Sequence, residues 1–196
     1  GSLRLSVTDR CNLRCAYCMP EEEYTWLPRA SILTFEELAR LATIFASLGA
    51  GRVRLTGGEP LLRNELPDLV ARLAAVPSVT DIALTTNASI LARKARQLAD
   101  SGLKRITVSL DGLDDVTFRR MNDVDFPVRD VLAGIDAATA AGLVPVKINM
   151  VVKRGVNERE IVAMARSFRG TGHIVRFIEY MDVGTSNGWR MDEVVP

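Results

Sequence analysis

The apolar positions fall into short continuous runs and helically spaced sets that take turns along the chain. Leu3 to Val7 reads as a first strand. After a polar loop, Thr34 stands three residues before Glu37, the spacing of a capping box. Leu38, Leu41, Ala42, Phe45 and Leu48 then follow at helical intervals until Gly49 and Gly51 close the segment. Val53 to Thr56 gives a second strand, Leu66, Leu69, Val70, Leu73 and Ala74 a second helix, and Val79 to Thr85 a third strand. Leu91, Ala95, Leu98 and Ala99 predict a third helix ending at Gly102. A strand at Arg105 to Leu110, a helix over Val128 to Ala141 and a strand at Val144 to Val151 continue the alternation. Asn157, three before Glu160, predicts one more capped helix, and His173 to Glu179 a sixth strand.

Strands and helices alternating at this spacing imply a parallel sheet covered by helices on at least one face. Six units fall short of a closed eight-stranded barrel. The expected fold is therefore α/β, a partial (β/α)6 TIM-like barrel with parallel strands, with a doubly wound sheet as the alternative. One domain is expected over residues 3–184, with 185–196 as a C-terminal tail. Gly1 and Ser2 read as foreign to the native start, and the whole as one domain of a longer protein. In such folds ligands gather at the carboxyl ends of the strands. There the chain places its cysteines, Thr56-Gly57-Gly58-Glu59, Thr85-Thr86-Asn87, Ser109 with Asp111, and Glu179 to Met181.

Composition narrows the function classes. A chain of 196 residues, 47% apolar, can bury one sizeable core. Its 25 basic and 24 acidic side chains leave no global field of the kind that nucleic-acid or membrane-surface binders carry. No apolar run approaches the roughly 20 residues a membrane span needs, and no signal segment opens the chain, so a cytoplasmic location is expected, with neither membrane nor nucleic acid as partner. The three cysteines all fall within eight residues, which argues for a metal or redox site over a disulfide framework. The spacing Cys11-x3-Cys15-x2-Cys18 lets three thiolates converge from one loop and leaves one iron of a cluster uncovered. An open metal position is where a small molecule binds and is activated. A zinc knuckle competes with this reading but wants a fourth ligand; there is no fourth cysteine, and the one histidine, His173, lies far along the chain.

Cys11-x3-Cys15-x-Tyr17-Cys18 resembles the signature of the radical S-adenosylmethionine (SAM) superfamily. The resemblance implies a 4Fe-4S cluster on Cys11, Cys15 and Cys18, with SAM chelated at its open iron and reductively cleaved to methionine and a 5'-deoxyadenosyl radical. Gly57-Gly58-Glu59-Pro60 resembles the superfamily's glycine-rich motif, where backbone meets the SAM amino group. At a finer level the chain is similar to the GTP 3',8-cyclase family of molybdenum cofactor biosynthesis. The stretches that carry this are Leu3 to Asn12, Tyr17 to Pro20, Arg54 to Arg63, Leu84 to Asn87, Val108 to Asp111 and Arg176 to Gly184.

By that similarity Tyr17, Gly58, Ser109 and Met181 would line the SAM pocket, while Arg4, Arg54, Thr85 and Lys147 would face GTP. The implied reaction is hydrogen abstraction from C3' of the GTP ribose followed by attack on guanine C8, with no side chain named as general acid or base. Asp111 and Asn149 are candidates to hydrogen-bond the sugar or substrate; His173 reads as structural. The implied partners are GTP, an electron donor protein and a second copy of the chain in a homodimer. Two departures stand out: the family's C-terminal second set of three cysteines is absent, and Ala88 stands where a glycine is expected. The competing readings are a radical SAM enzyme acting on a peptide or another small molecule, and a non-catalytic metal-binding fragment.

Overall fold

The structure, a computed structural model, describes residues 1–19, 21, 23–183 and 188–196. Six strands, β1 (Ser2–Ser6), β2 (Arg52–Thr56), β3 (Asp81–Thr86), β4 (Arg105–Ser109), β5 (Lys147–Val152) and β6 (Ile174–Glu179), form one sheet in sequence order. Every neighbouring pair is parallel, and β1 and β6 are both edges, so the sheet curls without closing. This is the expected partial barrel. Between the strands lie α1 (Phe35–Ser47), α2 (Leu66–Ala74), α3 (Leu91–Asp100), α4 (Asp115–Asn122), α5 (Val128–Ala140) and α6 (Ile161–Ser167).

The period of two along each strand sorts its residues into a packed face and an open one. Leu5, Val53, Leu55, Ile82, Leu84, Ile106, Val108, Ile148 and Met150 turn outward into one core with the helices, joined by Leu38, Leu69, Leu73, Leu91, Leu98 and Ile135. Each fully buried leucine or isoleucine there contributes about 1.5–3 kcal/mol relative to exposure. The alternate positions, among them Arg4, Arg54, Thr85, Thr107, Lys147 and Asn149, face the inside of the curl and are only partly shielded, apart from exposed Arg4 and buried Thr107. Strand pairing aligns them into rows. Arg4 is level with Arg54, Ala83 and Arg105, while Thr85 is level with Thr107 and Lys147, and Ser109 with Asn149 and Arg176.

Most elements lie where the pattern predicts them, with shifted ends. β1 begins at Ser2, which pairs with Arg52. The Thr34–Glu37 capping box forms in full, each side chain accepting from the other residue's backbone N–H. Two expectations need correcting. Asn157 does not cap a helix with its side chain; it turns inward, fully buried, and donates to the carbonyls of Asp111 and Val151 while accepting from the Lys153 N–H, all at 2.8 Å. And α4, short and polar, is not foreseen at all, although Asp114 caps it by accepting from Thr117 N–H and Phe118 and Met121 bury its inner face.

The expected domain boundary at 184/185, like Pro20 and Gly184 of the matched stretches, lies outside the described residues. Residues 188–196 lie back on the barrel: Lys153 bridges to Val194, its ammonium stands 3.1 Å from Glu193, and the Trp189 indole donates to the Tyr180 carbonyl. Among the described residues no helix is long and apolar enough to cross a membrane.

Loss of the α1 cap measures how far this local signal contributes to the whole. Thr34→Ala is expected to lower stability by about 1 kcal/mol, seen as a lower urea midpoint with an unchanged slope.

Candidate active site

The loop that follows β1 has no ladder of its own, so its backbone groups must find partners elsewhere. On one flank it lies against the end of β2, where the N–H of Gly58 donates to the Thr8 carbonyl and that of Glu59 to the Arg10 carbonyl, both at 2.8 Å. The approach is so close that a Cβ on Gly57 would stand 2.3 Å from the Thr8 oxygen, and one on Gly58 2.3 Å from the Arg10 oxygen. The two glycines are thus required by the loop packed over them, whatever else their backbone binds. On the other flank the N–H groups of Arg14 and Ala16 donate to the carbonyls of Asn122 and Met121, at 2.8 and 3.1 Å. These are the last carbonyls of α4, which lack partners inside the helix.

The cysteines ride on this double support. Cys18 and Met19 both donate to the Cys15 carbonyl at 2.8 Å, a tight turn that sets the third cysteine relative to the second. The Arg14 guanidinium donates to the Cys11 and Leu13 carbonyls at 3.0 Å and lies 5.3 and 5.5 Å from the stacked rings of Tyr24 and Trp26. Cation and rings attract through the ring quadrupole, which holds the descending chain beside the loop.

Two buried carboxylates brace the mouth. Glu59, 1% exposed, accepts from the Leu61 N–H and the Thr86 hydroxyl with one oxygen and from the Asn87 N–H with the other. Burial pushes its carboxyl up despite these donors. Asn87 in turn donates to the Asn12 side chain at 3.0 Å and points toward the Cys11 sulfur at 3.9 Å. Ala88 beside it takes φ +61°, the conformation that makes glycine the expected residue there. Asp111, 3% exposed, accepts from the Tyr17 hydroxyl at 2.7 Å and the Val151 N–H at 2.8 Å, and burial pushes its carboxyl up to about 6. With both oxygens taken it does not face a substrate.

Deeper inside the curl, toward the strands' starts, a cavity of about 350 Å³ is lined by Arg4, Arg52, Arg54, Arg105 and Lys147. Three of the four residues assigned to the substrate, Arg4, Arg54 and Lys147, come together there. Thr85 sits in the row of Lys147 and outside the lining. Arg52 and Arg105 were not foreseen, though Arg52-Val53-Arg54 already has the alternation that sets two arginines on one face. Arg105 is paired with Asp81. Arg54 is pushed below its ordinary range by desolvation and then by its neighbours Arg4, Arg105 and Arg176. Of the residues assigned to SAM, Tyr17, Gly58 and Ser109 ring the mouth, whereas Met181, 56% exposed, lies just past β6. The side-chain Oδ1 of Asn149, on the inner face, is buried without a hydrogen-bond partner among the described residues.

The family model described as the radical SAM superfamily matches residues 5–168. The chain belongs to the radical SAM superfamily. A curated GTP 3',8-cyclase of Acidothermus cellulolyticus is 59% identical over 99% of the chain, and one of Xanthomonas axonopodis pv. citri 51% identical over 98%. The chain spans 55% and 59% of these relatives' lengths. A crystal structure of methylornithine synthase (PylB) matches 98% of the chain and 58% of its own length with a TM-score of 0.74 at 18% identity, a likeness of fold.

The radical SAM cofactors are a 4Fe-4S cluster and SAM, and the cysteine loop fits the first. Burial pushes all three thiols up, so iron must displace a proton from each. Among the described residues no three His, Cys, Asp or Glu side chains close around a single ion.

Gly58→Ala, by driving the Arg10 carbonyl away, is expected to lower iron retained after anaerobic reconstitution and stability by about 1–3 kcal/mol. Glu59→Gln turns an amide donor toward the Asn87 N–H. It is expected to lower the urea midpoint of the metal-free chain by the equivalent of about 1–3 kcal/mol.

Proposed function

We propose that the chain is the radical SAM domain of a GTP 3',8-cyclase acting in molybdenum cofactor biosynthesis. The observation that carries the reading beyond the superfamily is the cavity of Arg4, Arg52, Arg54, Arg105 and Lys147 inside the barrel, where desolvation and then Arg4 and Arg105 push Arg54 down, and whose cations, Arg105 aside, have no ion-pair partner among the described residues. Such a cluster is at odds with a chain of net charge +1 unless an anion completes it. A triphosphate supplies that anion, and forked guanidinium donors on adjacent strands suit its oxygens. The identity to curated cyclases supports the same substrate.

Cys11, Cys15 and Cys18 hold the cluster, and Tyr17, Gly58, Ser109 and Met181 line the SAM site. Arg4, Arg54, Thr85 and Lys147 hold GTP so that its ribose is presented toward the mouth. When bound, the cluster and SAM would supply the radical chemistry that acts on the GTP ribose. What the chain's side chains contribute is orientation and exclusion of water. An electron donor protein feeds the cluster, the enzyme works in the cytoplasm as a homodimer, and the segment beyond this chain supplies the rest of the substrate site.

The test is titration of the anaerobically reconstituted chain with GTP, with 5'-deoxyadenosine measured in parallel. Arg54→Ala and Lys147→Ala are each expected to weaken GTP binding about 10–100-fold, the range of one charge-assisted contact, while iron content stays intact. Because Arg54 is surrounded by like charge, its removal is also expected to leave the urea midpoint without GTP unchanged or raised. GTP affinity indifferent to both substitutions sinks the cyclase reading in favour of another small molecule or a peptide.

A further inference from the structure

We propose that Asp111 is a positioning residue for the radical SAM centre, acting through the Tyr17 hydroxyl. Tyr17 lies between the second and third cluster cysteines, on the turn closed by the two hydrogen bonds to the Cys15 carbonyl. Its hydroxyl makes a 2.7 Å bond to Asp111, and Asp111 is nearly inaccessible to solvent. The carboxylate has no cationic partner among the described residues, so its two oxygens depend on two donors, the Tyr17 hydroxyl and the Val151 N–H.

Asp111 is itself immobilised from behind. Its carbonyl accepts from Asn157, and the same buried amide grips Val151 and Lys153. The end of β4, the end of β5 and the turn before α6 are thereby one hydrogen-bonded unit. The cysteine loop reaches that unit through Tyr17. Backbone bonds to the Gly57-Gly58 turn and to α4 fix the loop's two flanks at residues 8–10 and 14–16. The turn over 15–18, which carries two of the three thiols, is held by backbone only at its start, through Ala16, and the Tyr17–Asp111 bond anchors it beyond that point. A group that supports a metal ligand's own scaffold sets ligand direction, and with it the affinity and electronic character of the metal.

The inference rests on membership of the superfamily and not on the choice of GTP. It is tested on the anaerobically reconstituted 196-residue chain with Tyr17→Phe, Asp111→Asn, Asp111→Ala and the double variant Tyr17→Phe/Asp111→Ala. The measurements are bound iron, the electron paramagnetic resonance spectrum of the reduced cluster, and the change SAM makes to that spectrum as it is titrated. Tyr17→Phe and Asp111→Ala are each expected to weaken SAM binding roughly tenfold and to shift the spectrum while far-ultraviolet circular dichroism stays native. Asp111→Asn is expected to lie closer to wild type, because its amide can still donate to the Tyr17 oxygen while its carbonyl accepts from Val151. The double variant should be no weaker than Asp111→Ala.

Wild-type SAM affinity and spectrum in Tyr17→Phe would overturn the proposal, as would additive effects in the double variant. If Asp111→Ala fails to fold, Tyr17→Phe decides, since it keeps the ring and removes one oxygen. A wild-type chain that binds the cluster and cleaves SAM but ignores GTP removes the cyclase reading and leaves Asp111 in its role.

Discussion

The structure depends on how a loop without regular secondary structure is held over the open end of a barrel. Cys11, Cys15 and Cys18 cannot be placed by strand or helix geometry, because the chain between β1 and α1 has neither around them. Its backbone donors and acceptors are satisfied from outside, by the Gly57-Gly58 turn on one side and by the C-terminal carbonyls of α4 on the other. This explains why glycines follow β2. The loop's own carbonyls occupy the space where side chains would be. It also gives a short polar helix a function: α4 offers unpaired carbonyls at the one place where the loop has N–H groups to spare.

The barrel interior is built on a different tension. The alternation that buries Val53 and Leu55 against the helices sends Arg52 and Arg54 inward, and parallel pairing brings Arg4 and Arg105 level with Arg54. Among the described residues Arg105 alone of these has an ion-pair partner, Asp81. Unpaired cations at close quarters oppose folding and favour an anionic ligand by the same free energy, since both depend on the repulsion the ligand removes. The closed hydrophobic layer behind the strands, with Leu55, Leu84, Val108 and Ile148 fully buried, is what holds the strands together against that repulsion.

Sequence patterning carries the strands, five of the six helices and the cysteine loop because each leaves a strong local signal: period, cap or spacing. What it misses is decided by contacts between distant segments. Residues 115–122 hold few apolar positions, and their helix is stabilised by the Asp114 cap and by Phe118 and Met121 against the core. Asn157 has the right spacing for a cap, but the buried carbonyls of Asp111 and Val151 compete for its amide and win, since leaving them unpaired inside the protein is more unfavourable than leaving a helix end to water. Arg105 becomes visible as a cavity residue only once strand register sets it level with Arg4 and Arg54.

The chemistry available at the mouth follows from where its carboxylates are spent. Glu59 and Asp111 are the buried acids nearest the cysteines, and both serve as acceptors for fixed donors on other strands and loops. His173 stands at the opposite end of the barrel, before β6 begins, with Thr139 and Phe168 as neighbours. Among the described residues, both buried acids of the mouth are thus engaged by fixed donors. Radical chemistry suits such a mouth, because the reactive species comes from the cofactors and what the protein must provide is a fixed distance, a fixed direction and a barrier to water. The two carboxylates contribute to the first two indirectly, by tying the cysteine loop to the ends of β3 and β4 through Asn87 and Tyr17.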